Sequence, residues 1–125
     1  MAAITRFEEI EAWQRARKLV FEIYKISNEK FFSKDFSLRD QIRRASVSIM
    51  LNIAEGFARK TKKEFIKFLY ISHGSVAEVQ SCLYIALDLN YVPKEKFSFL
   101  YQECEEISKM LSGLIKYLEG KKYAP

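Results

Sequence analysis

Glycine and proline are scarce, 4 and 2 among 125 residues, which excludes collagen-like and low-complexity chains and leaves few breaks between regular elements. Cysteine is nearly absent. Cys82 and Cys104 fall inside apolar helical patterns, so they read as reduced, buried hydrophobes, and a disulfide scaffold is excluded. His73 is the only histidine, and with two separated cysteines it cannot complete a zinc site. No apolar run approaches the roughly 18 residues of a membrane span. The start, MAAITRFEEIEAW, has no basic segment leading into an apolar one, so no secretory leader is expected and the cytoplasm is the expected location.

Catalytic patterns are missing too. There is no Gly-rich phosphate loop and no Glu-x-x-His pair of the di-iron bundles. A Ser-His-acid triple could be drawn from Ser48 and His73, but on helices any polar triple can be drawn. Counting back from His73 over the spacing used by helical-bundle ribonucleases reaches Phe68, Lys67 and Ile66, none of them Arg. The expectation is a non-enzyme without cofactor or metal.

What is present is helical periodicity. Ala12, Ala16, Leu19, Ile23 and Ile26 step by four and three, predicting a helix over 8–28. Leu38, Ile42, Ala45, Ile49, Asn52 and Gly56 predict a second over 38–59, with Ser37 to Asp40 matching a capping box. Between them lie three Phe expected to cover the bundle end. Thr61 to Glu64 is a further capping box. It opens a helix over 62–90 on Phe65, Leu69, Ser72, Val76, Val79, Leu83 and Ala86, broken near Pro93. The fourth, over 94–119, uses Leu100, Cys104, Ile107, Leu111, Leu114 and Leu118, with Gly120 as C-cap. The short links predict one all-α domain over 1–125, an antiparallel up-down-up-down four-helix bundle. Helix three carries more apolar residues than one bundle can bury, Tyr70, Ile71, Tyr84 and Ile85 among them, which predicts a homo-oligomer.

Gln41 to Arg59 is the odd stretch, a buried helix with small and polar residues on its seam. If helices two and three fold back at Lys60, Ile49 faces Ser72, Ser48 faces His73, Ser46 faces Ser75 and Ala45 faces Val76. Arg44 then lies near Glu78 for an ion pair, and Gln41 near Gln80. Small residues on both sides, including Gly74 and Ala77, would let two backbones approach. Asn52 and Glu55 read as satisfied polar residues near the core. The seam set is thus Gln41, Arg43, Arg44, Ser48, Asn52, Glu55, Gly56, Ser72, Gly74, Ser75 and Glu78, a register device rather than a pocket.

The net charge is +5, which permits an anionic partner without requiring one. An up-down-up-down bundle collects Arg6, Arg59, Lys60, Lys62, Lys63, Lys116, Lys121 and Lys122 at one end. The candidate nucleic-acid contacts are Arg59, Lys60, Lys62, Lys63, Lys121 and Lys122. Aromatics are not interleaved with them, so phosphate contact is expected over base readout.

Gln41-x-Arg43-Arg44-Ala45, Ser48-Ile49, Asn52-Ile53-Ala54-Glu55-Gly56 and Arg59 resemble the bacterial four helix bundle protein family, also called the 23S rRNA intervening-sequence protein family. Trp13-x-x-Ala16, Phe65-x-x-Phe68-Leu69, Gly74-Ser75-x-x-Glu78 and Leu89-x-Tyr91 extend the likeness over roughly Phe7 to Leu118. The resemblance implies a four-helix bundle assembled as a homopentameric ring, with no assigned biochemical role. More distantly, the chain is similar to the accessory variability determinants of diversity-generating retroelements, which implies RNA as a candidate partner. Two readings stay open: a homo-oligomer that binds RNA or other nucleic acid through its basic end, and a protein-interaction scaffold or accessory subunit without nucleic-acid contact.

Overall fold

Each helix begins and ends where a specific backbone group finds or loses a partner. In the computed structural model, which describes residues 3–120, four helices follow one another: α1 (Glu11–Ser27), α2 (Phe36–Ala58), α3 (Lys62–Asp88) and α4 (Lys94–Leu118). The described residues contain no strand.

Helix one starts later than its periodicity suggests. Glu9 folds back so that its Oε1 accepts from the backbone N–H of Thr5 (2.8 Å) and Arg6 (3.2 Å). This holds Phe7–Glu9 as a separate 3-10 turn, and extended Ile10 divides it from α1. Helix two starts earlier, and Ser37 is not its cap. Asp35 is: its Oδ1 accepts from Leu38 N–H at 3.1 Å, leaving Ser37 inside the first turn. At α3, Thr61 caps as its position predicts, accepting from Glu64 N–H at 3.2 Å.

Left-handed residues follow α2, α3 and α4, whereas Asn28 after α1 stays right-handed. Lys60 (φ 66°) closes α2 and Gly120 (φ 75°) follows α4. After α3, Asn90 (φ 61°) lets its own N–H reach Leu87 O and Tyr91 N–H reach Ala86 O at 2.8 Å, a Schellman closure. The turn therefore ends α3 before Pro93 can act. Pro93 instead sits at the N-cap of α4.

Cross-helix contacts fix the topology. Ser72 meets Ile49 and Gln41 meets Glu78 between α2 and α3. Tyr70 meets Glu119, and Gln80 meets Glu105, between α3 and α4. Arg15 meets Glu103 and Glu22 meets Lys96 between α1 and α4. In each pair one number rises as the other falls, so neighbours are antiparallel and the bundle runs up-down-up-down. The helices form a square, with α1 diagonal to α3 and α2 diagonal to α4.

The predicted seams of α1 and α3 are buried throughout. Late in two helices the core moves one position over: Ile53 is buried where Asn52 is only partly so, and Ile115 replaces Leu114. Seven residues of an α-helix turn about 20° short of two full turns, so a fixed four-three rule drifts off the seam. Of the three linker phenylalanines only Phe32 covers the bundle end, stacking on Tyr91 at 5.3 Å; Phe31 and Phe36 face solvent. Tyr91 donates to Asp35 Oδ2 at 2.9 Å, so the α2 cap also ties the α1–α2 connection to the α3–α4 connection.

Candidate nucleic-acid interface and the helix seam

The α2–α3 seam is close-packed because its side chains are small where the backbones meet. Ser72 is fully buried and donates to Ile49 O at 2.8 Å, as a fold-back at Lys60 requires. Ser48 and Ser75 share a 2.9 Å hydrogen bond, and Asn52 Nδ2 donates to Ser48 O and Oγ at 2.8 and 3.0 Å. At the turn end, a Cβ on Gly56 would stand 2.7 Å from Phe68 Cβ and 3.3 Å from Phe65 O. Only glycine fits there. No buried side-chain nitrogen or oxygen among the described residues lacks a partner.

Other seam residues do different things. Ser48 faces Ser75, not His73, because Ser75 and His73 point about 200° apart around one helix. Ser46 bonds back to Arg43 O within its own helix instead of meeting Ser75. Gly74 and Ala77 are exposed, and nothing lies within 4 Å of a Cβ built on Gly74, so neither enters the contact. The Arg44–Glu78 ion pair does not form: Glu78 accepts from Gln41 at 3.3 Å and Arg44 is exposed. Gln80 turns away from Gln41 to Glu105. Glu55 is a surface residue held by Arg59 at 3.0 Å rather than a group near the core. Arg43 works across the bundle, donating to Ser27 Oγ at 2.7 Å and lying over the Tyr24 ring.

His73 belongs to the α3–α4 contact, where its Nε2 bonds Ser108 Oγ at 2.9 Å and Ser112 Oγ at 3.4 Å. This separates it from Ser48 and removes the triple that sequence allowed. Both thiols are free and buried. Burial pushes Cys104 up to about 12, and burial with nearby Glu78 also raises Cys82. Among the described residues no three His, Cys, Asp or Glu side chains gather to hold a metal ion. No helix among them is long and apolar enough to cross a membrane.

At the α2–α3 turn the basic candidates separate into two kinds. Arg59 is engaged, bonding Glu55 at 3.0 Å and Glu64 at 3.5 Å while lying over the Phe68 ring. Lys60, Lys62 and Lys63 are exposed and enter no ion pair among the described residues. Lys60 projects from the left-handed turn residue, and Lys62 and Lys63 open α3. Two lysines in a first turn face the positive end of the helix dipole, at a cost of about 0.3–1 kcal/mol each. Arg6, also at this end, is paired with Glu8. Lys121 and Lys122 lie outside the described residues.

A family model described as the 23S rRNA-intervening sequence protein matches residues 8–113. The chain belongs to this family. A solved structure from Bacteroides thetaiotaomicron, described as a protein of unknown function from the S23 ribosomal protein family, is 27% identical. It covers 84% of this chain and 98% of its own, with a TM-score of 0.76. No curated protein matches. The matched span of the 23S rRNA-intervening sequence family runs from before α1 into α4. It takes in the Gly56 approach, the Ser48–Asn52–Ser75 network and the Asn90–Tyr91 closure. Sequence reasoning missed Asp35 as the cap and the α1–α4 ion pairs. Asp35, directly before an apolar period, was a readable cap signal. The ion pairs join residues 74 and 88 apart and carried none.

Proposed function

We propose that this chain is a non-enzymatic, homo-oligomeric bundle that contacts the phosphate backbone of RNA, or other nucleic acid, through the α2–α3 turn. The observation that carries the reading is the trio Lys60, Lys62 and Lys63, exposed and without carboxylate partners among the described residues while neighbouring Arg59 is neutralised. Cations kept at the unfavourable end of a helix serve an anion better than they serve the fold. Among the described residues no aromatic ring stands between the three, which favours backbone contact over base readout. Assembly would repeat the cluster once per copy; a pentamer, the ring implied by family resemblance, would present five. Exposed Tyr70, Ile71, Tyr84 and Ile85 on α3 support assembly.

The test is RNA binding across roughly 50 to 200 mM salt, where each phosphate contact adds about 0.7 to the log–log slope for single strands. Wild type should weaken steeply, and the triple Lys60→Glu, Lys62→Glu, Lys63→Glu should lose binding. Salt-insensitive or undetectable binding would leave the scaffold reading in its place.

A further inference from the structure

Between α1 and α4 lies an open groove of about 910 Å³, mostly apolar, with Trp13 and the exposed rings of Phe21 and Phe99 along it. Trp13, Arg17 and Phe21 recur every four residues on α1, so they stand in one row along the groove. Glu22 and Glu103, also in the groove, are neutralised by Lys96 with Lys25 and by Arg15. Arg17 and Lys18 enter no ion pair among the described residues. The groove is therefore an apolar trough with unspent positive charge on its α1 side.

The opposite face of the square, α2 with α3, has complementary features. Ile71, Glu78 and Ile85 on α3 and Leu89 at its C-cap are exposed at intervals of seven, seven and four residues, and exposed Leu51 lies on neighbouring α2. This is a ridge of apolar side chains on one helix stripe. Gly74, with open space around its Cβ position, leaves a notch within it. Glu78 has only Gln41 as partner, so its charge is uncompensated among the described residues. From Ile71 to Leu89 the ridge runs about 27 Å at 1.5 Å per residue, long enough to fill a groove between two helices.

We propose that the α2–α3 ridge of one copy seats in the α1–α4 groove of the next, with Glu78 meeting Arg17 or Lys18. The contact is heterologous, joining two different faces of each copy, so it propagates head to tail and closes into a ring when the rotation per copy divides a full turn. It rests on the homo-oligomer reading above and adds which surfaces make the assembly. A foreign amphipathic helix could satisfy the groove's apolar surface, but it would leave the opposite ridge bare. A second copy covers both.

The test is complementation. Phe99→Glu spoils the groove and keeps the ridge, while Ile85→Glu spoils the ridge and keeps the groove. Both positions are exposed, so each variant should keep the circular dichroism of wild type and melt cooperatively, at a lower temperature where assembly is lost; Phe21→Glu and Leu89→Glu form a second pair should either misfold. In sedimentation velocity at micromolar concentration, each variant alone should run as one chain of 14.7 kDa. Mixed, they should form a 1:1 dimer of about twice that mass, since one good groove and one good ridge remain. Trp13, the sole tryptophan, should shift its emission to the blue in the mixture and stay unshifted in either variant alone. If wild type assembles but the variants do not dissociate, or dissociate and stay monomeric when mixed, the head-to-tail contact is wrong while the oligomer stands. A monomeric wild type overturns both.

Discussion

Gly56 and Gly74 look alike in sequence, both small residues near a small-residue seam, yet one is trapped and the other open. Gly56→Ala pushes a Cβ to 2.7 Å from Phe68 Cβ and should destabilise the fold by about 1–3 kcal/mol through overpacking. Gly74→Ala meets nothing within 4 Å and should be neutral or stabilising by up to about 1 kcal/mol through helix propensity. Urea unfolding of the two variants reads the difference. Sequence placed both in the α2–α3 seam, correctly for Gly56 and not for Gly74, because which flank is covered depends on the side from which the neighbouring helix approaches. Cysteine was more legible. With Cys104 buried and its thiol raised to about 12, neither cysteine should react with a disulfide reagent near pH 8 until the chain unfolds. Prompt labelling of a folded sample would contradict that burial.

At the scale of the helix, periodicity carried most of the information, because apolar residues at four-three spacing can be buried only on one face. All the predicted seam positions of α1 and α3 are buried. Boundaries were less legible: the sequence pattern pointed to Ser37 as the cap of α2, and the chain caps it with Asp35, which tertiary contact favours. Asp35 serves the Leu38 N–H and the Tyr91 hydroxyl at once, whereas Ser37 holds no cap bond. Asp35→Ala should therefore cost about 1–2 kcal/mol, and Ser37→Ala less than about 0.5 kcal/mol. Equal effects in thermal melts would mean the helix starts at Ser37 after all. The ion pair drawn between Arg44 and Glu78 failed for a related reason. Facing-residue rules locate helix axes, and long side chains then reach whichever partner lies one turn away.

Across the whole molecule, the bundle is closed by contacts that no local pattern announces. Arg15–Glu103 and Lys96–Glu22 bridge α1 and α4 at 3.2 and 2.9 Å. The hydrogen bond from Lys96 holds the Glu22 carboxyl below its ordinary range, ahead of the opposing effect of burial. A carboxyl depressed by folding stabilises above the unfolded value, about pH 4.3, and that stability fades as pH falls through the folded value. Lys96→Met should weaken this dependence, leaving only the smaller effect of Lys25, so its melting temperature should fall less than wild type's as acid is added below about pH 4.3. Parallel melting curves would deny the pair any role. The apolar surplus on α3 was readable as a count of residues. The groove that could receive it was not, because it exists only once α1 and α4 are set side by side.

The ridge and the groove presuppose an assembly, since single copies leave Phe21, Ile85 and Phe99 to water. Sedimentation velocity of the intact chain at micromolar concentration tests that claim most directly. A single species of at least twice 14.7 kDa, at a whole-number multiple, is expected. A stable species at the mass of one chain would contradict it.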